Sequence, residues 1–98
     1  MRFARNVHFQ IKNGREKDFK MLFESEVMPA LRRQKGFKEE LTLMSGTDSI
    51  GISVWEDRNS AESYQESTFP KLLEKLKPVI EGAPRVETYD VAIWTLRS

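Results

Sequence analysis

The chain has 98 residues, enough for one domain over 1–98 whose own core gives modest stability, so a partner that buries further apolar surface is expected. Apolar residues make up 39% and charged residues 32%, with a net charge of +1, which fits a folded domain and gives no electrostatic reason for a nucleic-acid partner. With no Cys and one His, the chain has no disulfide, no thiolate nucleophile and none of the usual multi-histidine metal sites. No stretch approaches the roughly 20 apolar residues of a membrane span, and the opening MRFARNVHFQ lacks a signal-peptide core, so the expectation is a cytoplasmic protein without a membrane partner.

From Phe3 to Ile11 the residues alternate, with Phe3, Val7, Phe9 and Ile11 on one side and Asn6, His8 and Gln10 on the other, which predicts a strand. A long amphipathic helix is predicted next, from an Asn13 cap with Glu16 at capping-box distance to Gly36, and a kink is expected at Pro29. Arg32, Arg33 and Lys35 near its end suit the helix dipole. Residues 37–44 and 49–56 read as strands joined by the turn SGTD, with Leu41 and Leu43 on one face of the first and Ile50, Ile52 and Val54 on one face of the second.

Asn59 and Glu62 then have cap spacing for a short helix carrying Ala61 and Tyr64. Pro70 opens a further helical piece with Phe69, Leu72, Leu73 and Leu76 as its stripe. Residues 86–96 form a last strand with Tyr89, Val91 and Ile93 on one face. The order β-α-β-β-α-β favours an α+β, ferredoxin-like antiparallel sheet with its helices on one face. If the apolar strand faces meet the helices, the second sheet face carries Asn6, His8, Gln10, Ser53, Trp55, Asp90 and Trp94. Two such faces pressed together make a dimeric α+β barrel with Asn6, His8, Trp55, Asp90 and Trp94 at the interface.

The first strand running into KNGREKDF, the helix end PALRRQKGF, the passage SVWEDRNSAESY and the final VETYDVAIW resemble the antibiotic biosynthesis monooxygenase family of the dimeric α+β barrel superfamily. The resemblance spans nearly the whole chain. It implies a homodimer with a small-ligand cavity between sheet and helices, and a cofactor-free oxygenase acting on an aromatic or quinol-type substrate. A heme-degrading branch of the family uses an Asn, a Trp and a His; the corresponding positions here hold Val7, Tyr64 and Glu74, so the resemblance implies no heme chemistry.

Cofactor-free oxygenation asks for a base, hydrogen-bond donors and a water-excluding aromatic pocket. His8, whose ordinary pKa lies near neutrality, and Tyr64 are the candidate catalytic residues; Tyr64, Tyr89 and Arg5 are the candidate substrate contacts. Arg5 stands on the apolar side of its strand and is expected to reach the rim, with an anion contact in the cavity as the alternative. Glu39 and Glu40 are adjacent on a strand, so they point to opposite faces and cannot flank one bond. The alternative to an enzyme is a non-catalytic ligand-binding or stress-related barrel. An open cavity with a proton-accepting group favours the enzyme, and a cavity plugged by Phe and Leu favours the alternative.

Overall fold

In the computed structural model, which describes residues 1–95, the chain enters through β1 (Phe3–Gln10), whose alternation buries Phe3, Arg5, Val7 and Phe9. The predicted long helix follows in three consecutive pieces: α1 (Glu16–Leu22), a π-helical turn (Phe23–Val27) and α2 (Met28–Arg32). Pro29 sits in the first turn of α2. Because proline donates no amide hydrogen and crowds the turn before it, the wider π spacing falls just ahead of it. Arg15 holds the N-cap position instead of Asn13, and its Nε donates to Asp18 Oδ2 at 2.8 Å. Gly36 (φ +83) turns the chain out of α2, where a Cβ would also lie 2.3 Å from Ser60 Oγ.

β2 (Phe37–Ser45) and β3 (Asp48–Trp55) form the predicted hairpin, with Ser45 paired to Asp48. α3 (Arg58–Ser67) begins at Asp57, whose Oδ1 accepts the Ser60 amide hydrogen at 2.9 Å, in place of the expected Asn59 cap. That amide holds the Asp57 carboxyl below its ordinary range. α4 (Phe69–Leu76) has Pro70 in its first turn, as predicted, and buries Phe69, Leu72 and Leu76. β4 (Arg85–Asp90) is shorter than the expected strand over 86–96. Its partner β1 starts at Phe3, opposite Asp90, and beyond that point the Val91 amide donates to Arg2 O at 2.9 Å. Leu96 lies outside the described residues.

The sheet order is β2-β3-β1-β4 with every pair antiparallel, and one face packs against the helices, giving the ferredoxin-like α+β arrangement. Among the described residues no helix is long and apolar enough to cross a membrane.

The strand faces are where the sequence expectation needs correction. Pairing sets Phe3, Arg5, Val7 and Phe9 beside Trp55, Ser53, Gly51 and Ser49, so the small residues of β3 face the helices. Ile50 and Ile52 face outward, paired with Leu43 and Leu41, which are 47% and 53% exposed. Phe9, Phe19 and Phe23 interlock at centroid distances of 5.4 to 6.2 Å and already crowd the helix side. Small side chains at 49, 51 and 53 leave them room.

Trp55 therefore does not lie on the outer face. It is fully buried within the chain, donates Nε1–H to Ser53 Oγ at 2.8 Å and packs 5.5 Å from Phe37 and 5.1 Å from Tyr64. β4 is corrected in the same sense: Tyr89 pairs with Ala4 on the outer face, while Asp90 pairs with Phe3 on the helix side and is exposed. Trp94 lies beyond β4, with the Arg2 guanidinium 4.7 Å above its ring. Asn6 and His8 do face outward.

Candidate functional site

Three polar side chains converge in the space between sheet and helices. Arg5 comes from the centre of β1, Glu40 from β2 and Tyr64 from the inward side of α3. Val7, Phe23, Val27, Leu31, Phe69 and Leu72 supply apolar wall around them.

Arg5 is 3% exposed, so it belongs to the cavity and not to the rim. Its guanidinium carbon lies 5.0 Å from the Tyr64 ring centroid and 4.5 Å from that of Phe69, and Nη2 donates to Gln65 Oε1. Its Nε–H is buried without a hydrogen-bond partner. Burial lowers the Arg5 pKa, opposed by the neighbouring Tyr64 and Glu40, but a guanidinium starts so high that it stays cationic.

Glu40 was overlooked as a site residue when the Glu39-Glu40 pair was set aside. The two do point to opposite faces, and that leaves one carboxyl facing the helices beside Ser53, its β3 partner. Thr42 Oγ1 donates to Glu40 Oε2 at 2.7 Å. Burial raises the Glu40 pKa to about 7, against the opposing effects of the Thr42 hydrogen bond and the Arg5 charge. The available signal was the pair of small residues, Gly51 and Ser53, across the hairpin from it: a Cβ at 51 would lie 2.9 Å from Glu40 Oε2.

Tyr64 is 2% exposed and sits between Trp55 and Phe69, at centroid distances of 5.1 and 5.9 Å. Burial pushes its phenol up to about 12, with the Arg5 charge acting the other way. It stays protonated at neutral pH and is a hydrogen-bond donor to any oxygen placed beside it.

The space these three side chains share is small. It amounts to about 20 Å³, room for roughly one water molecule. Outside it, between the α1–π–α2 segment and the β2 edge, runs an open groove of about 570 Å³ lined by residues including Phe19, Lys20, Glu24, Met28, Arg32, Thr42 and Met44. Phe23 and Glu40 line both spaces.

Of the sequence-predicted site residues, Arg5 and Tyr64 meet in this cavity. His8 is on the opposite sheet face, its Nε2 3.7 Å from Asp48 Oδ1, and Tyr89 is 53% exposed on that same outer face. Neither borders the space that holds Glu40. Among the described residues no cluster of three or more His, Cys, Asp or Glu side chains forms a metal-binding group.

No protein-family model matches the chain, and no functionally curated protein matches it. Solved structures do. NE2512, a protein of unknown function from Nitrosomonas europaea, superimposes with a TM-score of 0.83 at 16% identity, covering 99% of this chain and 95% of its own. SnoaB, a cofactor-independent oxygenase from Streptomyces nogalater, gives 0.80 at 14% identity, covering 98% of each chain. A candidate antibiotic biosynthesis monooxygenase from Bordetella bronchiseptica gives 0.79 at 15% identity, covering 94% of this chain and 98% of its own. The fold of this chain is that of the antibiotic biosynthesis monooxygenase family.

Proposed function

We propose that the protein is a cytoplasmic homodimer of single-domain barrel subunits that oxidises a small aromatic or quinol-type substrate with molecular oxygen and no metal or organic cofactor. The observation that carries this reading is the lone Glu40 carboxyl, titrating near neutrality in an apolar cavity that also presents a buried guanidinium and a buried phenol. A base of that pKa is matched to taking a proton at pH 7.

Glu40 removes the acidic proton of an electron-rich substrate, for instance from the ring CH₂ of an anthrone-like molecule. The developing oxyanion lies toward the Arg5 Nε–H, which has no partner of its own, and the Tyr64 hydroxyl. The carbanion then transfers an electron to oxygen, the radical pair combines to a hydroperoxide, and loss of water leaves a carbonyl. The balance is R₂CH₂ + O₂ → R₂C=O + H₂O, and Glu40 ends in its starting state. The apolar walls protect the anion from water. His8, on the other sheet face, has no part in this chemistry.

A non-catalytic ligand-binding barrel is the second reading, favoured by the narrowness of the inner space. The two separate in an oxygen electrode with naphthohydroquinone and anthrone as probes. Oxygen uptake above the uncatalysed rate, reduced about a hundredfold or more in Glu40→Gln, supports the enzyme. Binding of the same probes with no uptake supports the alternative.

The homodimer reading rests on the outer sheet face, where Leu41 and Leu43 are exposed beside Ile52 and Ile50, and Tyr89 is exposed on β4. An apolar face of this kind on a small domain calls for a cover, and a second copy closes the barrel.

A further inference from the structure

We propose that the groove between the α1–π–α2 segment and the β2 edge is the entry and outer binding site for an extended aromatic anion, and that Phe23 is the gate through which its ring reaches Glu40. The inference rests on the proposed function for what happens beyond the gate, but the groove and the gate are argued from geometry.

A space of about 20 Å³ does not hold an aromatic ring, whereas the 570 Å³ groove lies in the range of small-molecule sites. Phe23 and Glu40 border both. A ring that reaches the Arg5–Glu40–Tyr64 cluster from the groove passes between Phe23 and Glu40. The backbone around Phe23 suits a widening of that passage: the residue opens the π turn and Val27 closes it, and both line the inner space. A π turn interrupts the regular α-helical ladder and recurs at functional sites. On the sheet side the Glu40 carboxyl and the Phe23 ring occupy the space that a Cβ at Gly51 would need, at 2.9 and 3.9 Å from it.

Charge defines the occupant. Lys20 and Arg32 line the groove, and neither forms an ion pair with another described residue. Glu24 and Glu40 are the carboxyl groups of the same lining; with Glu40 set aside as the group shared with the inner space, Lys20 and Arg32 exceed Glu24 by one charge. Phe19, Met28 and Met44 supply apolar contact along it. The fitting ligand has a flat ring system at its inner end and a carboxylate at its outer end.

Calorimetric titration with hydroxynaphthoate and with naphthol, which lacks the carboxylate, tests this. The expected result is that hydroxynaphthoate binds at least about fivefold tighter, and that this preference disappears in Lys20→Ala/Arg32→Ala while naphthol affinity is unchanged. It also shrinks as salt is raised, since these charges are exposed. Phe23→Leu, which keeps the site apolar, is expected to speed association of both probes severalfold in stopped flow. Equal affinity of the two probes, or a preference that survives the double substitution, overturns the anion assignment; unchanged association rates in Phe23→Leu overturn the gate. Either failure leaves the proposed oxygenase standing if Glu40→Gln still abolishes oxygen uptake. Uptake that persists in Glu40→Gln, with the carboxylate preference intact, removes the oxygenase mechanism and leaves the groove.

Discussion

Gly51 lies under the Glu40 carboxylate, so closely that a single added carbon at position 51 would stand 2.9 Å from Oε2. The cross-strand arrangement explains why: Thr42 pairs with Gly51 and Glu40 with Ser53, putting the carboxyl over the one β3 residue with no side chain. Gly51→Ala is predicted to push Glu40 toward the outer groove and reduce oxygen uptake while costing below about 1 kcal/mol of stability, because the crowded atom is the free end of a flexible side chain. Urea titration and the oxygen electrode measure the two effects separately.

Glu40 also makes stability depend on pH. Its pKa is about 7 in the folded protein against an ordinary 4.5, so between those values the unfolded chain has lost a proton that the folded chain keeps. The folded state binds more protons there, and stability falls as pH rises from about 4.5 to about 7, by up to on the order of 3 kcal/mol for the full shift. Glu40→Gln removes this contribution. Urea midpoints at a series of pH values are expected to drift downward in the parent and to drift less in the variant.

Trp55 and the outer apolar face predict opposite failures. Trp55→Ala opens a void in a fully buried site beside Tyr64 and Phe37, with an expected loss of about 3 to 5 kcal/mol and no direct effect on self-association. Leu41→Arg sets a charge on an exposed residue opposite Ile52 and is expected to shift the proposed dimer to monomer in sedimentation velocity.

Tyr64→Phe keeps the ring between Trp55 and Phe69 and deletes only the hydroxyl. Thermal stability is expected to change little, within about 1.5 kcal/mol for one lost hydrogen-bonding group, while oxygen uptake falls. His8→Ala is the control: it alters the outer face near Asp48 and leaves the chemical step unchanged.

The order of elements was readable because β1, the helix stripes and the hairpin turn each carry a strong local period. Which face of β2, β3 and β4 meets the helices was not. Alternation fixes only that Ile50, Ile52 and Val54 share a side, and the apolar side of a strand faces the helices only if nothing else covers it. Here the bulky residues of β1 and the helices fill the inner layer, so Ser49, Gly51 and Ser53 turn inward and the isoleucines outward. The Trp55 and Tyr89 expectations inverted with them. Tyr64 faces inward as its helical spacing predicts, whereas Arg5, expected to reach the rim, is buried on the inward face of β1. Glu40 escaped notice because its importance comes from long-range pairing with a strand of small residues.

The central claim, that Glu40 is the base of a cofactor-free oxygenation, is tested most directly by the pH profile of oxygen uptake with naphthohydroquinone and anthrone in the parent protein and in Glu40→Gln. The account predicts a rate that rises with pH through an apparent pKa near 7, set by Glu40, and that this limb vanishes with the activity in Glu40→Gln. Uptake in Glu40→Gln at the parent rate, with the same pH dependence, would contradict it.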